Sequence, residues 1–211
     1  MADWVTISSL ATAGGTLVLA GATFASVRSA NRAARAAETS LLASMRPLLL
    51  PSRPDDPPQK VGFADEHWLH VKGGTGAAEA TDSTIYLAIA LRNVGTGIAV
   101  LHGWRFWPEP RLGNQADHAP LEEFQRLTRD LYVPAGDAGF WQGTFRDPAA
   151  SEFVAAKRAI EARERVTVEI LYGDHEGGQH TITRFGLAPR EDGSWLAAAG
   201  RHWNLDRPDP R

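Results

Sequence analysis

The sequence predicts a mainly β protein carried on an N-terminal transmembrane helix, and three observations lead there. Trp4 to Val27 contains no charged residue, Thr84 to Arg92 alternates apolar and polar positions, and Gly- and Pro-rich clusters separate further short apolar runs. The predicted architecture is an antiparallel β-sandwich, immunoglobulin-like in outline, with two short inserted helices. Residues 1–46 are expected to form the membrane helix and its stalk, and residues 47–211 a soluble β-rich domain.

Of the 211 residues, roughly 160 remain for the soluble part, enough for one core. A hydrophobic share of 43% and a charged share of 22% belong to a folded chain. The net charge of -3 lacks the basic excess of a general nucleic-acid binder, so no nucleic-acid partner is expected. The chain has no cysteine, which excludes disulfides, thiolate metal sites and a cysteine nucleophile. No cofactor is implied.

The apolar segment covers roughly 24 positions, against the about 20 needed to cross a hydrocarbon core. A helix satisfies its own backbone there. Leu10, Leu17, Leu19, Phe24 and Val27 supply the lipid-facing surface, and Trp4 suits the interface at one end. Serine and threonine dilute the segment, but their hydroxyls can bond back to helix carbonyls. A cleaved signal peptide would carry its cations before the apolar run. Here Asp3 precedes it, while Arg28, Arg32 and Arg35 follow. Cations are retained on the cytoplasmic side, so the N-terminus is expected outside the cell membrane and the large domain in the cytoplasm. Ser8, Thr12 and Thr16, with Gly15 beside them, offer a small-residue face on which two copies could associate. From Val27 to Met45 an Ala- and Arg-rich stretch continues the helix as a stalk, and Pro47 stops it.

Pro51 to Gln59 reads as an extended loop, and Gly73, Gly74 and Gly76 as a second flexible stretch. In Thr84 to Arg92, Ile85, Leu87, Ile89 and Leu91 form the buried face of a half-buried strand. Asn93 to Gly97 supplies turn residues, and Ile98 to Trp107 resumes as a strand expected to pair with the first as a hairpin. Further strands are expected at Leu48–Leu50, His67–Val71, Gly139–Phe145, Val166–Tyr172, His180–Leu187 and Trp195–Trp203. The two inserted helices are placed at Pro120–Arg129 and Ser151–Arg165.

Three stretches carry a resemblance: Asp130 to Gly143 (DLYVPAGDAGFWQG), Leu171 to Gln179 (LYGDHEGGQ) and Arg201 to Pro208 (RHWNLDRP). In these the chain resembles uncharacterised membrane-anchored proteins of high-GC Gram-positive bacteria, a resemblance that implies an anchored β-rich domain and brings no activity with it. Leu91 to Gly97 (LRNVGTG) is similar to the strand-turn signature of immunoglobulin-like adhesion modules.

Chemistry concentrates in Asp174-His175-Glu176 and His180. Imidazole and carboxylate are metal ligands, so Asp174, His175 and His180 are the candidate set, although Gly177-Gly178 marks the same stretch as a hairpin loop. His67 and His70 point to opposite faces of a strand. His102 falls on the face of Val100, Trp104 and Phe106, as a hydrogen-bonded core histidine. Asp137, Asp147 and Glu169 form no demanded acid–base pair, and no Gly-x-Ser-x-Gly occurs. The functional expectation is a single-pass, non-catalytic module binding a protein partner at the cytoplasmic face. The alternatives are a metal-dependent enzyme or metal sensor using the Asp174–His180 loop, and a small-ligand sensor with Trp104, Trp107 and Trp141 around a pocket.

Overall fold

The computed structural model describes residues 3–111 and 117–207. The chain divides into two compact units, one ending at Ser44 and the other beginning at Met45.

The first unit is a single helix, α1 (Trp4–Ser44), of 41 residues. At about 1.5 Å per residue it is about 60 Å long, twice the thickness of a hydrocarbon core. It is long and apolar enough to span a membrane. Leu10, Leu17, Leu19, Phe24 and Val27 all lie exposed on it. The Trp4 side chain lies outside the described residues. Thr12 and Thr16 donate their hydroxyls to the carbonyls of Ser8 and Thr12, at 2.8 and 2.9 Å. Such back-bonds let an apolar helix carry hydroxyls without leaving them unpaired. A side chain at Gly15 would meet nothing, so the small-residue face is open. Arg28, Arg32 and Arg35 are exposed further along.

The described residues of the second unit form eleven strands: β1 (Leu49–Pro51), β2 (Gln59–Gly62), β3 (Trp68–Val71), β4 (Thr75–Ala80), β5 (Ile85–Asn93), β6 (Ala99–Trp107), β7 (Gln125–Val133), β8 (Ala138–Phe145), β9 (Val166–Gly173), β10 (His180–Pro189) and β11 (Trp195–Asn204). One helix, α2 (Ser151–Glu161), lies between β8 and β9. Nine strands form one curled antiparallel sheet in the order β1-β5-β4-β11-β10-β9-β6-β7, with β8 on the other edge of β5. One wall is β8-β5-β4 and the other β11-β10-β9-β6-β7, and strand pairing joins them where Trp195 and Leu196 meet Gly76 and Thr75. Ile85, Leu87, Ile89 and Trp141 from the first wall meet Trp104, Val168, Ile170 and Phe185 from the second in the main core. Into it α2 lays Phe153, Ala156, Ala159 and Ile160, positions that share one face of a helix.

The structure corrects several expectations. β5 and β6 do not pair: β5 bonds to β1, β4 and β8, and β6 to β7 and β9. Both edges of β5 are taken, so the Asn93–Gly97 turn carries the chain across the core rather than back along the strand. Nor is β5 half-exposed, because Tyr86, Ala88 and Ala90 on its other face are covered by the β2–β3 hairpin with Val61, Phe63, Leu69 and Val71. Pro120–Arg129 is not a helix. Only Leu121–Glu123 form a turn of 3-10 helix, after which Phe124 is extended and β7 begins. α2 stops at Glu161 rather than Arg165, since Arg163 takes a left-handed φ of 53°. The Gly73–Gly76 stretch is packed rather than loose: a side chain at Gly73 would lie 2.0 Å from the Arg53 carbonyl, and β4 begins at Thr75.

The proline-rich loop is pinned by charge. Asp56 accepts the Arg53 amide at 2.7 Å and Arg92 Nε at 2.9 Å. Hydrogen bonds from Arg92, then from the Arg53 amide, hold the Asp56 carboxyl down at about 2 against the opposing effect of burial. Asp65 is also held at about 2, by the Tyr86 hydroxyl at 2.6 Å and by Arg146 at 3.0 Å, again against burial. Both folded values lie below the ordinary 3.8. Their contribution to stability is therefore complete above about pH 4 and lost as pH falls toward 2. A series of thermal melts across that window should show a falling Tm, and Asp56→Asn with Asp65→Asn should start lower and fall less. Parallel curves for the two proteins would contradict this assignment.

Candidate functional site

The site is built where the curled sheet fails to close. β7 and β8 are its two ends, and no backbone bridge joins them among the described residues. At one end the seam is tight, for a side chain at Gly139 would come within 2.9 Å of Val133. Toward Gln125 and Arg146 it opens.

A double irregularity sets that shape. Leu101 pairs with Leu131 and Gly103 with Arg126, so residues 127–130 of β7 stand opposite His102 alone. Against β9 His102 is again the extra residue, between the Leu101–Tyr172 and Gly103–Leu171 pairs. Bulges of this kind re-aim side chains. Leu101 and Trp104, three apart, therefore both enter the core, and His102 leaves the core face that strict alternation predicts for it.

The first hollow, about 240 Å³, lies between β7 and β8 and is lined by Gln125, Arg126, Arg129, Gln142, Thr144 and Arg146, with Trp104 at its floor. Trp104 is fixed by edge contacts with Trp141 and Phe145, at centroid distances of 5.4 and 5.1 Å. Arg129 donates to Gln142 Oε1 across the seam at 2.6 Å. Arg146 is paired with Asp65 at 3.0 Å. The Arg126 side chain has no hydrogen-bond or ion-pair partner among the described residues. No carboxylate lines this hollow. Three guanidiniums around one cleft make a surface for oxyanions, which they bind in a planar fork.

Two more hollows continue it. Arg129 and Gln142 also border one of about 390 Å³ with Phe63 and the exposed Trp68, whose ring lies under the Lys60 ammonium at 4.5 Å. Arg126 and Leu127 border another of about 460 Å³ with His102, Asp130 and His180. Shared lining residues make the three one groove along β7. In the last hollow the His102 and His180 rings lie 5.5 Å apart. Burial, and then the facing His180, hold His102 below the usual imidazole value, so it stays neutral near pH 7. Its Nε2 packs beside Gly173, with no partner among the described residues.

The residues expected to bind metal are not brought together. Asp174 Oδ1 accepts the amides of Gly178 at 2.9 Å and Gln179 at 3.2 Å, which closes the β9–β10 hairpin. His175 turns to Glu176 at 3.1 Å on the surface, and His180 faces His102. Among the described residues no group of three or more His, Asp or Glu side chains is placed to hold a metal. His67 stacks on Tyr86 at 4.0 Å and meets Glu79 at 3.1 Å. Trp104 and Trp141 sit in the core, while Trp107 lies apart under the Arg111 guanidinium at 3.3 Å. Glu169 is buried against Arg184, and Asp147 caps the turn before α2.

Arg126, Arg129, Gln142 and Arg146 escaped the sequence reading. Two of them fall in the segment misassigned as helix. The signal lay in Leu127, Leu131 and Val133 on alternate positions, with Thr128 and Tyr132 adding strand propensity. No protein-family model and no curated protein matches the chain.

Proposed function

We propose that this protein is a single-pass, non-catalytic membrane module whose β domain captures a protein partner at the cytoplasmic face, using the groove along β7. The observation that carries this reading is the cleft between two unpaired edge strands, lined by Arg126, Arg129 and Arg146 and by no carboxylate. The domain works as a sandwich-like scaffold in the immunoglobulin manner: two walls pack on one core, and the open edge between them is where a partner enters. The helix supplies the location. Arg28, Arg32 and Arg35 after the apolar run, against Asp3 before it, favour the cytoplasmic side for the domain. The open face at Ser8, Thr12, Gly15 and Thr16 adds self-association within the bilayer.

The test is made in intact cells. A photo-crosslinking residue at Thr144 should yield a discrete crosslinked product in the membrane fraction, and Arg126→Glu with Arg129→Glu should abolish it. A cytoplasm-only reporter fused after Arg211 should be active in the same cells. No reproducible product would sink the partner reading, and a silent reporter at normal expression would reverse the orientation.

A further inference from the structure

β8 pairs with β5 in unbroken register from Ala138 to Phe145, so its other edge presents a regular row of backbone groups, hemmed in by Val133 at Gly139 and open along Gln142 to Thr144. Nothing pairs with that edge among the described residues. Opposite it, β7 has residues 127–130 out of register with β6. An open, regular edge beside a displaced one is the arrangement that accepts an added strand. The charge on the seam narrows what that strand can be. Arg126, Arg129 and Arg146 line it, Arg146 alone is neutralised by a carboxylate, and the side-chain amides of Gln125 and Gln142 add further polar groups. Alternate residues of a strand project to one side about 6.5–7 Å apart, the spacing at which successive acidic side chains could each meet a guanidinium. At the far end, Phe63 and Trp68 offer an apolar seat.

We infer that the ligand of the cleft between β7 and β8 is an extended acidic segment of a partner protein, added as a strand along β8 with acidic side chains on alternate positions and an apolar side chain against Trp68, clear of the hollow that Asp130 lines. This rests on the partner-binding reading above and specifies it. An anionic lipid surface shares the charge. The guanidiniums, however, line the walls of a cleft between strands rather than a flat face, and a bilayer supplies no backbone to the β8 edge.

The experiment uses the full chain in nanodiscs of zwitterionic lipid. The probe is a labelled peptide of alternating glutamate and threonine ending in phenylalanine, followed by fluorescence anisotropy. It should bind, its glutamine counterpart should bind about tenfold more weakly or worse, and an N-methylated counterpart should lose binding as well. Arg126→Gln with Arg129→Gln should erase the preference for glutamate at an unchanged Tm. Amides of residues 142–145 should gain protection from hydrogen exchange in the complex. Equal binding of the glutamate and glutamine peptides would overturn the acidic ligand, and full binding of the N-methylated peptide would overturn strand addition. Absence of peptide binding, with arginine-dependent binding to phosphatidylserine vesicles, would assign the groove to the membrane surface. If the crosslink at Thr144 persists while no peptide binds, this inference falls and the module reading stands.

Discussion

Glu169→Gln should lower the melting temperature of the β domain by roughly 10 °C or more, the largest loss expected from any one charged group. Glu169 and Arg184 stand directly opposite on β9 and β10, with side chains 0% and 2% exposed. Glu169 Oε1 accepts Arg184 Nε at 2.8 Å and an Arg184 terminal nitrogen at 2.6 Å, and Oε2 accepts the Ala119 amide at 2.9 Å. Arg184 also donates to the Asp117 carbonyl at 2.8 Å and lies 4.7 Å from the Trp203 ring. The pair thus holds residues 117–119 over the outer face of the sheet, where Ala119, Phe124, Ile182 and Trp203 form a separate apolar cluster. Removing one partner leaves a buried charge uncompensated, at about 3–5 kcal/mol. For a domain of this size each kcal/mol shifts Tm by about 2–4 °C. Glu169→Leu with Arg184→Met should lose much less, since both buried charges go together and no unpaired ion is left in the interior. Melts of the full chain followed by tryptophan fluorescence decide the matter. A double variant as damaged as Glu169→Gln would mean that packing, not charge, dominates the site.

That pair also shows where the sequence stops being readable. Strands are local: the alternation in Ile85–Leu91 and the turns around Gly177 and Gly193 locate β5, β9, β10 and β11 to within a residue or two. The uncharged run before Arg28 likewise marks α1 without help from any neighbour. What alternation cannot carry is pairing. Glu169 meets Arg184 only because β9 and β10 are in one register, and one edge of β5 is taken by β8, more than forty residues away. The face of β5 bearing Ala88 and Ala90 reads as exposed until the β2–β3 hairpin covers it. β4, with the sequence TGAAEA, has almost no strand propensity of its own and is held by β5 and β11. The groove suffers most, because it depends on a bulge at His102 that shifts the period, and on two strand ends brought together by the curl of the whole sheet.

Asn93→Ala should detach the first strand of the β domain, with a loss of about 3 kcal/mol or more. Asn93 is fully buried at the end of β5, and its side-chain amide meets four backbone groups. Its Oδ1 accepts the amides of Leu48 at 3.1 Å and Gly95 at 3.0 Å, and its Nδ2 donates to the carbonyls of Gly97 at 2.6 Å and Val133 at 3.0 Å. Alanine would strand several of these in the interior, each at about 1–3 kcal/mol, less whatever water can recover. The glycines of the same turn serve the same contact. A side chain at Gly97 would lie 1.7 Å from the Met45 carbonyl, and one at Gly95 would lie 2.3 Å from that of Arg46. The turn is therefore shaped to receive Met45–Leu48, the point at which the chain enters this domain, and Arg46 fastens it again through Asp206 and Asn204. Asn93→Asp should be no better than alanine, because a carboxylate cannot donate to Gly97 or Val133. Gly97→Ala should release the same segment by steric overlap. Hydrogen exchange separates the outcomes: in both Asn93→Ala and Gly97→Ala the Leu48 and Val94 amides should exchange early, while β9 and β10 keep their protection. If the Leu48 amide kept its protection in both variants, Arg46 and β1 would be sufficient to hold the entry segment, and Asn93 would serve only the turn.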